Sequence, residues 1–204
     1  MSHSEPFISV IIPNWNGHRY LPGCLDSLRA QSYRWFEVLV VDNASTDGSD
    51  TMVPEQYPEF RLIPLSRNFG FAAAVNEGIR QARGDLIALL NNDAEGAPEW
   101  LATLAAASDS HPEAGFFACK ILLFDRRDLI HSAGDFYRGD GVPGNRGVWQ
   151  KDDGRYDREE YVLAACGAAS GWRRGLFDDV GLFDESLFMY CEDVDLSLRA
   201  QLRG

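Results

Sequence analysis

Four short stretches of this chain carry residue types that could do chemistry on a charged or hydroxylated ligand. Pro13-Asn14-Trp15-Asn16, Asp42-Asn43 and Asn91-Asn92-Asp93 each follow a short apolar run, and Glu192-Asp193 opens an amphipathic segment near the C-terminus. Carboxylates hold divalent cations or accept protons, and carboxamides orient hydroxyl and phosphate oxygens. A single Asp behind a strand can simply cap the next helix. Two such acids on different strands, aimed at one crevice, point to a ligand site.

The apolar runs are the elements that must position these groups. Phe7 to Ile12, Glu37 to Val41 and Leu86 to Leu90 read as buried strands, and Arg61 to Leu65 as an edge strand because Pro64 cannot donate to a ladder. Helical spacing appears over His18 to Gln31, Phe71 to Ala82, Pro98 to Ala107 and Glu192 to Leu202, with Ser45, Thr46 and Asp47 as candidate caps for a further helix. Ala114 to Leu123 suggests a fifth strand, and residues 125 to 160 read as long loops or an irregular hairpin region. Alternating strands and helices imply an α/β fold with a mostly parallel sheet covered on both faces. Ligands of such sheets bind beyond the carboxyl ends of the strands, where the first three polar groups lie.

Composition narrows the classes further. The chain has 204 residues, 45% hydrophobic and 25% charged, which fits one globular domain. Its net charge of −12 argues against a nucleic-acid binder and against anchoring on anionic lipid through a basic surface. Cys24, Cys119, Cys166 and Cys191 form no Cys-x-x-Cys pair and suit a reducing, cytosolic setting. No run is apolar enough to span a bilayer, and no signal-peptide pattern opens the chain. Glycine fingerprints for dinucleotides or a phosphate loop are missing after the first strand, and Asp42 to Gly48 lacks the ligands of a calcium loop.

Five motifs carry a resemblance. Ile8 to Asn16, Val40 to Ser49, Asn68 to Gly78, Leu89 to Asp93 and Gly181 to Arg199 resemble, in order, the inverting family 2 glycosyltransferases. The last segment is most similar to the rhamnosyltransferase-like branch. The resemblance covers about residues 7 to 202 and implies a GT-A fold, with residues 1–125 as the nucleotide-sugar-binding half and 126–204 as the acceptor and catalytic-base half. The chain stops at Gly204, just past the last helix, which suggests a core whose later segments lie outside this sequence.

By that resemblance, Pro13, Asn16, Asp42 and Asn43 line the nucleotide pocket, with Asp42 accepting a hydrogen bond from uracil or thymine. Asn68, Gly70, Asn76, Asn91 and Asn92 lie along the ribose and diphosphate, and Asp93 holds Mg2+ or Mn2+. Asp193 takes the acceptor's proton, Glu192 supports it, and Gly167, Arg173 and Arg174 meet acceptor or phosphate. The donor would be a UDP- or dTDP-sugar, and the acceptor a glycan or lipid-linked sugar. The protein would work in the cytoplasm, with peripheral membrane association at the cytoplasmic face of the inner membrane open to it. Two other readings stand beside this one: a sugar nucleotidyltransferase, and a non-catalytic nucleotide-sugar-binding module. Asp195 and Arg199, four apart on one helix, read as a structural ion pair.

Overall fold

The computed structural model describes residues 5–204. Ten strands form: β1 (Ile8–Asn14), β2 (Phe36–Asp42), β3 (Arg61–Pro64), β4 (Leu86–Leu90), β5 (Phe116–Ala118), β6 (Lys120–Leu122), β7 (Ile130–Ala133), β8 (Asp135–Tyr137), β9 (Pro143–Asn145) and β10 (Ala169–Arg173). The helices are α1 (Leu21–Arg29), α2 (Ser49–Gln56), α3 (Phe71–Gln81), α4 (Trp100–Ser110), α5 (Arg174–Val180) and α6 (Glu192–Arg203).

The central sheet has the order β3-β2-β1-β4-β10-β5. β3, β2, β1 and β4 run parallel, and β10 enters antiparallel between β4 and β5. β3 is an edge strand, as Pro64 requires. Side chains alternate across the sheet, so each apolar run feeds two cores. Ile8, Val10, Ile12, Val38, Val40 and Leu90 pack against α1, α2 and α4. Ile11, Leu39, Val41, Ile87 and Leu89 pack against α3, α5 and α6. A fully buried Leu or Ile contributes about 1.5–3 kcal/mol, so both faces must stay covered. Trp172 of β10 anchors the second core, its ring centroid 5.2 Å from Phe116 and 5.7 Å from Phe183.

Two expectations change here. The run from Ala114 to Leu123 is continuous in sequence but divides at Cys119: β5 joins the main sheet and β6 pairs with β7. Hydrophobic period alone cannot show such a change of partner. Of the expected caps of α2, only Asp47 reaches it: its Oδ1 accepts from the N–H of Ser49, the first helical residue, at 3.1 Å. The N-cap position itself is Gly48, left-handed at φ 86°. All three also hold the β1–α1 loop: Asn16 N–H donates to Ser45 Oγ, Thr46 N–H to Asn16 Oδ1, and His18 N–H to Asp47 Oδ2.

Candidate active site

β1 and β2 end in register, with Asn14 opposite Asp42. That pairing builds the floor of a crevice. Asn14 is 1% exposed. Its Nδ2 donates to Asp42 Oδ1 at 2.9 Å, to Ser49 Oγ at 3.0 Å and to Ser45 Oγ at 3.2 Å, and its Oδ1 accepts from Asn92 Nδ2 at 2.8 Å. One carboxamide thus ties together the ends of three strands. Asp42 is 2% exposed, and its Oδ2 accepts from Ser45 N–H at 2.9 Å. Each of its oxygens keeps a second acceptor site.

Asn43 and Asn68 shape the neighbouring wall. Asn43 accepts from Phe69 N–H and donates to the Gly70 carbonyl, both at 2.9 Å. Asn68 accepts from Gly70 N–H at 2.9 Å. Gly70 sits at φ 93°, where only glycine is unstrained, and a Cβ there would lie 2.5 Å from the Phe188 carbonyl oxygen. Gly70 thus permits a close approach of the 188–191 segment. The Phe188 carbonyl also accepts from Phe71 N–H at 2.7 Å, at the start of α3.

Asn76 does not reach the crevice. Its side chain is buried and wholly engaged with the turn before α6, accepting from Phe183 N–H and donating to Phe183 O and Glu185 Oε1. Pro13 lies within β1 opposite Val41, and Asn16 is exposed at the crevice mouth with φ 52°.

The β4 end supplies oxygen donors for a cation. Asp93 is exposed, with no hydrogen-bond or ion-pair partner among the described residues. Asn91 Oδ1 is buried and unpartnered. A carboxylate and a free amide oxygen are hard ligands of the kind Mg2+ and Mn2+ take, so these residues fit such an ion.

On the far wall, Asn91 N–H donates to Ala168 O at 2.9 Å, which seats Gly167 beside the β4 end. Gly167 N–H donates to Asp193 Oδ2 at 2.7 Å. Asp193 and Glu192 occupy the first turn of α6, where the helix dipole favours carboxylates. Glu192 is 5% exposed, its Oε2 has no partner, and burial pushes its carboxyl up to about 7. The expected ion pair is present: Arg199 meets Asp195 at 2.8 Å and also donates to the Val180 and Leu182 carbonyls, fixing α6 to the preceding turn.

Arg173 and Arg174 are not at the crevice, a correction to their expected acceptor role. β10 is antiparallel to β4, so Ala169 pairs with Leu90 while Arg173 pairs with Leu86, about 13 Å further down the strand. Arg173 donates to the carbonyls of Ser108, His111 and Ala114, and Arg174 to that of Gly84. A broad concavity of about 1280 Å³ lies at this end, lined by His111, Phe116, Arg173, Arg174 and Tyr161 among others. None of Asp42, Asp93, Glu192 or Asp193 lines it.

Two contributors carried no sequence expectation. Asn14 lies inside the Ile8 to Asn16 motif, where the resemblance implies no role for it. Asp135 lies in the polar 125–160 stretch, where no periodicity marks it. It is 4% exposed, and its side chain lies with Cys166 and Asp193, one polar atom from each within 4.8 Å of the others. Cys166 brings a soft sulfur to this group, which suits a hard cation such as Mg2+ poorly, and burial pushes its thiol up to about 12.

The sequence profile described as "Glycosyl transferase family 2" matches residues 9–181. The chain belongs to that family. This family 2 glycosyltransferase chain is 34% identical to the O-antigen biosynthesis protein RfbC of Myxococcus xanthus over 98% of its own length and 16% of the relative's. It is 29% identical to an N-acetylglucosaminyl-diphospho-decaprenol L-rhamnosyltransferase of Mycobacterium tuberculosis, over 97% of this chain and 71% of that protein. It therefore spans a small part of the first relative and most of the second.

Solved structures show the same GT-A fold. The crystal structure of S. aureus TarS 1-349 superposes with a TM-score of 0.71 at 24% identity, covering 96% of this chain and 55% of that one. The mannosyltransferase PcManGT of Pyrobaculum calidifontis, solved with GDP-Man and Mn2+, gives 0.66 at 23% identity, covering 95% and 51%. No helix among the described residues is long and apolar enough to cross a membrane.

Proposed function

We propose that this family 2 chain is an inverting transferase. It moves a hexose or deoxyhexose such as rhamnose from a UDP- or dTDP-sugar to a hydroxyl of a glycan or lipid-linked acceptor. The observation that carries the reading is the short chain of contacts from the β4 end to α6: Asn91 N–H to Ala168 O, then Gly167 N–H to Asp193. It brings the Asp193 carboxylate to the segment beside the β4 end, which supports a base on the wall facing the donor crevice, as in-line displacement at the anomeric carbon requires. Residues 1–125 serve the donor and 126–204 the acceptor and the base, within one shared sheet.

In the reaction, the acceptor oxygen bonds to the anomeric carbon while the bond to the diphosphate oxygen breaks. The hydroxyl proton passes to Asp193, whose other hydrogen bonds come from backbone N–H groups of Gly167 and Val194. Those bonds hold its orientation, which is how general-base catalysis gains its effect. Asp42 accepts from the base's ring N–H, while Asn14 and Asn92 keep the crevice in register. Asp93 and Asn91 would hold Mg2+ or Mn2+, which neutralises charge on a diphosphate leaving group. Arg173 and Arg174, at the opposite end, do not serve this charge.

Relatives support this reading by what they are named for: lipid-linked acceptors in the mycobacterial enzyme, UDP in a TarS complex. The cytoplasmic face of the inner membrane suits a nucleotide-sugar donor and a lipid-linked acceptor. Calorimetric titration with UDP, dTDP and GDP, with and without Mn2+, tests the donor site. Binding of UDP or dTDP that strengthens with Mn2+ is expected; no binding by any of them sinks it. Asp193→Asn should bind nucleotide normally and lose about 10²–10⁴-fold in transfer. Wild-type transfer by that variant would overturn the base assignment.

A further inference from the structure

Asp135 is built into the acceptor wall more firmly than a loop acid needs to be. Its backbone exchanges hydrogen bonds with Ala164, at 2.8 and 3.2 Å, two residues before Cys166. Its Oδ1 accepts from Ser132 Oγ and from Asn145 Nδ2, both at 2.9 Å. Among the described residues, Oδ2 has no hydrogen-bond partner, and neither Asp135 nor Asp193 has an ion-pair partner. A neutral Asn could satisfy Ser132 and Asn145 equally well. Burying a carboxylate beside a second carboxylate, with no cation to balance them, is destabilising for the fold. An arrangement of that kind marks a group whose charge is used.

We propose that Asp135 is a positioning residue for proton removal by Asp193: its buried, uncompensated carboxylate lies in one pocket with the Asp193 carboxylate, so the arrival of the acceptor's proton relieves their repulsion. This rests on the reading of Asp193 as base. When the acceptor oxygen bonds to the anomeric carbon, its proton moves to Asp193 and the diphosphate departs with the electron pair of the broken bond. The pair then goes from two carboxylates to one carboxylate and one carboxylic acid, which relieves their mutual repulsion as the proton arrives. The proton leaves to water before the next turnover. Two like charges in one pocket titrate together. The Asp135 carboxyl is pushed up to about 6, by burial first and by the Asp193 carboxylate in addition, against the two hydrogen bonds that favour its ionised form. The other titratable groups facing the pair are the Cys166 thiol, Glu192 and the Tyr137 hydroxyl; each is neutral or negative in either protonation state, so none balances the two carboxylates.

The test is the pH profile of kcat/KM, measured with donor and acceptor for the wild type, Asp135→Asn and Asp135→Ala. Both variants lack the charge, but only Asn keeps the acceptor for Ser132 and Asn145. The acidic limb should move about one pH unit lower in both, and the plateau kcat should fall about threefold to tenfold, as Brønsted behaviour requires of a weaker base. UDP binding should be unchanged, and only the Ala variant should lose thermal stability. An acidic limb that stays in place in Asp135→Asn overturns the proposal, whatever happens to kcat. Asp193→Asn separates the two readings. If it retains transfer, the base assignment falls. If it is inactive and the Asp135→Asn limb is unmoved, the Asp135 inference alone falls.

Discussion

Glu192 shows how one buried side chain couples the site to the stability of the fold. The group ordinarily ionises near 4.5, and in the folded chain burial lifts it to about 7. Between those values the native state holds a proton that the unfolded chain has released. Stability therefore falls as pH rises through this window, and is fully present only below it. Glu192→Gln removes the charge, so it should match the wild type in melting temperature near pH 4.5. It should exceed the wild type at pH 8, by at most about 3 kcal/mol, while transfer falls. Thermal melts at the two pH values check it; equal melting at pH 8 would show that Glu192 is not buried as a charge. At this scale the acids Asp42, Asp93, Glu192 and Asp193 were legible as residue types at strand and helix ends. Asn14 was harder to read, because an amide at the end of an apolar strand reveals neither its burial nor its four partners. Asp135 was not legible at all. Its importance comes from residues 58 positions away, at Asp193.

Elements are placed by contacts that their own periodicity does not encode. The segment from Phe188 to Cys191 holds three non-glycine residues at positive φ, namely Phe188, Tyr190 and Cys191. Such backbone persists only where its surroundings hold it. Here the Phe188 carbonyl sits on the start of α3, against Gly70. Gly70→Ala meets both a disfavoured φ and a backbone oxygen at 2.5 Å, so the segment must shift and carry the start of α6 with it. The expected result is a fall in transfer of at least tenfold with UDP binding reduced less, since a small misplacement of a catalytic group is enough. Unchanged transfer would mean that the 188–191 segment does not position Glu192-Asp193. The parallel strands were legible because buried runs such as Leu86 to Leu90 are apolar throughout and end in polar groups. The division of Ala114 to Leu123 between two sheets was not, because both pieces are equally apolar.

Across the whole molecule, acid gathers at one end of the sheet and two arginines brace the other. Arg173 holds the carbonyls at the end of α4, the favoured place for a cation at a helix C-terminus. Arg173→Ala should lower stability by roughly 2–3 kcal/mol in a denaturant titration, the scale of lost hydrogen bonds to a charged group. Transfer per folded molecule should hold. Loss of transfer at unchanged stability would return this residue to the acceptor site. The net charge of −12 thus describes a surface that repels polyanions, and the donor reading proposed above needs a cation to offset the acids of the crevice.

Apolar runs, their polar ends and five ordered motifs were enough to specify the fold family and the strand ends where the candidate site residues gather, because burial and backbone geometry act over a few residues. The antiparallel insertion of β10 was decided only by long-range packing. It carried Arg173 and Arg174 to the far end, left Gly167 beside Asp193, and through the bridge to Ala164 brought Asp135 into the same pocket. Strand direction depends on which edge the chain meets after some eighty intervening residues, and no local pattern of side chains records that meeting.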